Sequence, residues 1–171
     1  MPAIQTSELK IYLSGGAGNT DPDASLGGAI STTELVDNTL HNLFAKVGAT
    51  EALAGSVKYR GIYIKNTNGT LTYETALAYI SSQTTSGDTS IKISVADEGA
   101  GVSMQTIANE NTAPIGEVFS TADGVGNGLS IGNLSAGSYI GIWIERTVNA
   151  GATAYGSDTA ILGWRGESTS T

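Results

Sequence analysis

Ser138-Tyr139-Ile140-Gly141-Ile142-Trp143-Ile144-Glu145-Arg146 reads as a β-strand, because isoleucine recurs at every second position while Tyr139, Trp143 and Glu145 take the opposite face. A turn at Ala136-Gly137 precedes it. The same period of two runs through Leu9, Ile11 and Leu13, which alternate with Lys10 and Tyr12. It runs again through Ile91, Ile93 and Val95, between turn residues Ser86-Gly87-Asp88 and Asp97-Glu98-Gly99. A last strand is expected from Thr159 to Arg165, with Ala160, Leu162 and Trp164 on one face.

Val57 to Thr67 and Thr70 to Ser82 flank Asn68-Gly69, a dipeptide that suits a two-residue hairpin loop. The second arm is read with Leu71, Tyr73, Leu77 and Tyr79 against Thr72, Glu74, Ala76 and Ala78. In the first arm Tyr59 and Ile62 fall on opposite faces, and a bulge at Gly61 would realign them. One helix is expected from Thr32 to Lys46, where Val36, Leu40, Leu43, Phe44 and Val47 recur at helical spacing behind a Ser31-x-x-Glu34 capping box. A further short turn is expected at Thr50-Glu51-Ala52-Leu53. Many short strands with frequent turns make the fold class all-β, an antiparallel β-sandwich of jelly-roll type with one short helix and a long Gly-rich N-terminal loop. Residues 1–30 form an N-terminal strand and Gly-rich arm of the same domain, and residues 31–171 form the sandwich.

The chain has 171 residues and no cysteine, so hydrophobic packing rather than disulfides or thiolate-bound metal must hold it together. Only 14% of residues are charged, and 8 basic against 16 acidic side chains give a net charge of −8, which disfavours nucleic acid and anionic membranes as partners. Met1-Pro2-Ala3-Ile4-Gln5-Thr6 lacks the basic start and apolar run of a signal peptide, and no stretch approaches the ~20 apolar residues of a membrane span. Synthesis and assembly in a cytoplasm are therefore expected. Asn68-Gly69-Thr70 and Asn133-Leu134-Ser135 match the glycosylation sequon by coincidence in that setting.

The search for reactive residues eliminates most chemistry. His41 is the only histidine, and Asp37 lies one helical turn before it, but no serine stands in a nucleophile elbow. One histidine and no cysteine cannot supply a tetrahedral zinc site. Asn19, Asp21 and Asp23 offer oxygens at alternate positions of a Gly-rich loop, yet Ala24 and Ile30 occupy the places where an EF-hand needs glycine and glutamate, so the calcium pattern fails and an Asx turn is the competing reading. Neither Gly15-Gly16-Ala17-Gly18 nor Gly124-Val125-Gly126-Asn127-Gly128 completes a phosphate-loop spacing. Scattered carboxylates leave glycoside hydrolysis to be decided by their separation in space. Tyr139, Trp143 and Tyr155 either form an aromatic surface for sugar or protein, or Trp143 faces a second sheet. The reading is of a non-enzymatic protein with no catalytic residue, cofactor or metal.

Ser14 to Gly28 (SGGAGNTDPDASLGG) and Thr121 to Gly128 (TADGVGNG) are poor in apolar residues, and such loops are either mobile or pinned by a neighbour. Four segments, Leu13 to Ser31, Tyr59 to Thr72, Gln105 to Pro114 and Ile140 to Tyr155, resemble stretches of small tailed-bacteriophage virion proteins. That resemblance implies a capsid decoration or cement protein: a β-sandwich on the capsid exterior that binds the major capsid protein, oligomerises with a trimer favoured, and stabilises the shell. No catalytic residue transfers with it. The interface residues expected on this reading are Leu9, Ile11, Leu13, Asn19, Asp21, Asp23, Tyr139, Trp143 and Tyr155, with residues 14–28 ordering on contact. The rival readings are a carbohydrate- or receptor-binding sandwich of a phage head fibre or tail, and a hydrolase built around His41.

Overall fold

The computed structural model describes residues 3–169; the outermost ends of the expected domain, 1–2 and 170–171, lie outside the described residues. The strands are β1 (Leu9–Ser14), β2 (Gly27–Gly28), β3 (Ile30–Glu34), β4 (Ser56–Asn66), β5 (Thr72–Ser82), β6 (Thr89–Val95), β7 (Met104–Thr106), β8 (Leu129–Leu134), β9 (Tyr139–Val148) and β10 (Ile161–Thr169), with one short helix, α1 (Ala49–Ala54). They form a five-stranded sheet in the order β3-β1-β4-β9-β6, a three-stranded sheet in the order β10-β5-β8, and a small β2-β7 ribbon. Every named pairing is antiparallel. The fold is an all-β antiparallel sandwich.

The alternating ribs read from the sequence build the core between the two larger sheets. Ile62 lies opposite Ile142, Ile64 opposite Ile140, and Ile93 opposite Ile144, so three strands present one continuous aliphatic face. Leu13 extends it from β1, and Tyr73, Ala76, Ala78, Ile80, Ile131 and Leu134 meet it from the smaller sheet. Ala160, Leu162 and Trp164 pack against this core, as their shared face implies. Burying each large aliphatic side chain contributes about 1.5–3 kcal/mol.

Four expectations are corrected. First, Asn68-Gly69 does not join a hairpin, because β4 pairs with β1 and β9 while β5 pairs with β10 and β8. The segment is a corner between sheets. Neither Asn68 nor Gly69 has a positive φ; instead the Asn68 carboxamide oxygen accepts the N–H groups of Thr70 and Leu71, an Asx-type turn. The fully buried Asn66 donates to the carbonyls of Leu71 and Leu134, tying the corner to β8.

Second, β4 has no bulge at Gly61, since its register against β9 is unbroken from Ser56 to Lys65. Tyr59 and Ile62 do lie on opposite faces, because both faces of this strand are covered. Third, the second arm changes phase: Tyr73 points inward, and then Ala76, Ala78 and Ile80 do, leaving Leu77 and Tyr79 on the other side. The cause is Thr75, which sits at φ 47° where the register against β8 shifts.

Fourth, the helix expected from Thr32 to Lys46 does not form. Residues 30–34 pair with β1 as β3, and the Ser31 hydroxyl donates to the Asn19 carbonyl and accepts the Thr33 N–H instead of capping a helix. The β-branched residues Ile30, Thr32 and Thr33 suit an edge strand, and Asn38 and His41 adopt φ of 56° and 59°, which ends any helical path. Among the described residues the one α-helix is α1, where the sequence suggests a short turn.

The outer edge of β6 is occupied by atoms that imitate a neighbouring strand. The Gln83 side-chain amide accepts the Ile91 N–H at 3.1 Å and donates to the Ile91 carbonyl at 2.8 Å. Ser120 exchanges both backbone hydrogen bonds with Ile93 at 2.9 Å.

Ile142→Ala, at a wholly buried position, is expected to cost about 2–5 kcal/mol, whereas Ile115→Ala, at a residue 85% exposed, should change stability by less than about 0.5 kcal/mol. Urea unfolding of the three proteins measures both.

Candidate functional site

The second face of the β4–β9 pair carries Tyr59, Gly61, Tyr63, Tyr139 and Trp143, and it is roofed by residues 14–28 and the β2–β7 ribbon. The roof comes close because glycine lets it. At Gly27, with φ +86°, an added Cβ would stand 1.9 Å from the Gln105 carbonyl oxygen and 2.8 Å from the Trp143 ring. At Gly61 it would stand 2.5 Å from the Met104 sulfur.

Several polar groups trapped under the roof find partners there, while the Trp143 indole N–H and the Ser25 hydroxyl have none among the described residues. The buried Ser14 hydroxyl donates to the Gly61 carbonyl at 2.8 Å and accepts the Gly27 N–H at 3.0 Å. The Tyr63 hydroxyl donates to the Gly28 carbonyl and accepts the Met104 N–H, and burial pushes its pKa up to about 12. Gly61 donates to the Ser25 carbonyl and Tyr59 to the Glu110 carbonyl, so the loops continue the hydrogen-bonding edge of β4 beyond the end of β1. The Gly-rich stretch is thus pinned by its neighbour.

The candidate interface residues are distributed over unlike environments. Leu13 is 1% exposed, and Leu9 and Ile11 pack half-buried against the core between the sheets. The Asn19 side chain donates to the Ser14 carbonyl and accepts the Asp21 N–H, and Asp21 accepts the Asp23 N–H, so these alternating oxygens hold their own loop. Trp143 has no exposed surface and lies under the roof, on the face turned away from the second sheet. Tyr139 is half-buried with its ring edge-on to Tyr63 at 5.3 Å, and Tyr155 is 55% exposed on a different segment, so the three aromatics make no common surface. His41 is exposed on a turn, and among the described residues no hydrogen bond joins it to Asp37 or to a serine.

Two charged clusters escape a reading based on motifs. At one end of the sandwich, Lys58 and Arg60 of β4 and Arg146 of β9 meet Asp23, Glu51 and Glu110. Glu51 bonds Lys58 at 3.2 Å and Arg146 at 3.0 Å, while Glu110 bonds Lys58 at 2.9 Å and also Arg60. The Phe44 ring lies 5.4 Å from the Arg60 guanidinium and 4.7 Å from that of Arg146. The sequence signal was present: Arg60 continues the rib of Ile62 and Ile64, and Arg146 continues that of Ile140, Ile142 and Ile144. A cation prolonging an apolar rib must find anions where the rib ends.

The second cluster is Asp97, Glu98 and Glu117, whose carboxylate oxygens lie within 4.8 Å of one another beside a cleft of about 320 Å³ bordered by Ser94 and Leu129. Burial raises the Glu117 pKa, and the charges of Asp97 and Glu98 add to the rise against hydrogen bonds from Ser94 and the Asp97 N–H. Oxygen donors of this kind suit a hard cation. Among the described residues, no helix is long and apolar enough to cross a membrane.

Comparison with protein-family models, with curated proteins and with solved structures finds no match to this chain. The fold and the two clusters therefore stand on the chain's own geometry.

Gly27→Ala is expected to destabilise the domain by about 2–4 kcal/mol, since backbone oxygen and indole both obstruct the added methyl group. Tyr63→Phe removes one hydroxyl that serves two buried backbone groups and should cost about 1–3 kcal/mol. Thermal unfolding of both variants, followed by circular dichroism, is the measurement.

Proposed function

We propose that this protein is a non-enzymatic virion structural protein that binds the outside of a tailed-phage capsid lattice as a decoration or cement protein. Its partners on this reading are the major capsid protein and further copies of itself, with a trimer favoured, and its place is the capsid exterior after assembly in the host cytoplasm. The observation that carries the reading is where the four phage-like segments lie. Residues 13–31, 59–72, 105–114 and 140–155 are distant in sequence, yet parts of them meet on the roofed face of the β4–β9 pair, and Asp23, Arg60 and Glu110 join three of them in the ion-pair cluster where the opposite face ends. Ser14 to Gly61, Leu26 to Ile107, Tyr59 to Glu110 and Gly61 to Trp143 are all direct contacts or paired positions across them.

The physical demands of the role agree with such a roofed face. A cement protein stabilises a shell by mass action, binding the assembled lattice better than free subunits, and a loop surface already held in place loses little entropy on docking. The weakly charged, net acidic surface is consistent with a protein partner rather than nucleic acid. A glycan-binding domain is the rival, and of its proposed aromatic surface Tyr155 alone keeps substantial exposure.

The test is co-sedimentation of purified protein with capsid shells assembled without it. Saturable binding at a fixed number of copies per capsid subunit, with shells that resist heat or low salt longer when decorated, is expected, and at free protein a hundredfold above Kd the gain should be about 2.7 kcal/mol per site. His41→Ala should bind equally well. Absence of binding at saturating protein, or a substrate turned over in a way that His41→Ala abolishes, would overturn the reading.

A further inference from the structure

We propose that the ion-pair cluster at the end of the sandwich is an acid-released clasp, which frees residues 35–55 and 107–117 from the body while the two larger sheets stay folded. This does not depend on what the protein binds.

The placement of the charges is the first argument. All three cations stand on β4 and β9, in the middle of the five-stranded sheet, and all three anions stand on connecting segments: Asp23 in residues 14–28, Glu51 on α1, and Glu110 after β7. Each ion pair is therefore a tether between a rigid element and a loop. The cations are poorly hydrated, with the Arg60, Arg146 and Lys58 side chains 1%, 11% and 16% exposed, so they depend on these partners.

Residues 35–47 are the segment with most to lose. They contain no regular structure, Val36 and Leu40 are exposed at 62% and 60%, and Asn38 and His41 occupy left-handed backbone conformations. Leu35 is anchored to β1 through the Ile11 carbonyl and packs on the core, and Leu43 enters the core; beyond these, the segment is held through the clasp. Phe44 rests between the two guanidinium groups, and the Ala45 carbonyl accepts from Arg146 at 2.9 Å.

The groups that face Glu51 and Glu110 set their titration. Glu51 faces the Ser56 hydroxyl and Lys58 from β4 and Arg146 from β9; Glu110 faces Lys58 and Arg60 from β4; Asp23 faces Arg60. Burial pushes Glu51 and Glu110 up, but hydrogen bonds and the neighbouring cations outweigh it and hold both below the ordinary glutamate value. A depressed folded value means that the tether is complete above the ordinary glutamate range and is lost as pH falls through that lower value. Lys58 and Arg146 are then left without a charged partner and Arg60 keeps only Asp23, so the three cations repel one another beside Phe44. The hydrophobic cluster between the sheets is built of aliphatic side chains, alanine and Tyr73, with Phe44 and Trp164 packed against it, and none of these side chains titrates over the same range.

Hydrogen exchange of the full chain, read by mass spectrometry from pH 7 to pH 3 and corrected for the intrinsic pH dependence, tests this. Peptides from residues 35–55 and 107–117 are expected to lose protection at a higher pH than peptides from β4, β6 and β9. At pH 7 the Glu51→Gln/Glu110→Gln variant should exchange roughly tenfold or more faster in the same two segments with β9 still protected. Loss of protection everywhere in one step, or a folded variant whose residues 35–55 exchange as in the parent, would overturn the clasp. Should the variant fail to fold, the pH series on the parent chain decides alone.

Discussion

Ile62 against Ile142, with Gly61 against Trp143 one step along, is the pairing on which the remainder rests. A strand pair covered on both sides can leave neither face to solvent. One face takes the three-stranded sheet, and the other must take something thin, because the chain has already used its long strands. Glycine-rich loops meet that need at a cost in backbone entropy, and the hydrogen bonds of Ser14 and Tyr63 hold them in register. Where the aliphatic ribs run out, the same strands carry cations, and the loops that pass there carry the matching anions.

Much of this was legible where one rule sufficed. The ribs of β1, β6, β9 and β10 follow directly from alternation, since each buries its apolar side chains on the face between the sheets. The reading failed where two rules competed. Val36, Leu40 and Leu43 have helical spacing, but the β-branched residues before them satisfy β1, and the Asx and left-handed positions after Leu35 break the period. Asn68-Gly69 is turn chemistry, yet local sequence does not say which sheet the next strand joins, and the buried Asn66 side chain directs it across the sandwich. Thr75 shifts the phase of β5 by one residue, which no hydrophobicity pattern records.

The candidate site was less legible for a related reason. Asn19, Asp21 and Asp23 were picked out as oxygens in a flexible loop, and two of the three spend those oxygens on nearby backbone N–H groups while Asp23 reaches Arg60. For Trp143 the sequence offers an aromatic surface or a second sheet, and its face is inside because distant residues 14–28 fold over it. Charges on loops 37 and 50 residues away in sequence complete Arg60, and such separations leave no local pattern to read.

The Gln83 amide and Ser120 beside β6 have a consequence for how copies of this domain meet. An open outermost strand is a template on which another molecule can lay its own backbone, and repetition of that contact yields fibres rather than closed particles. Here a side chain and a loop already fill two successive rungs, at Ile91 and Ile93. Zipper-like growth from that margin would have to expel them first.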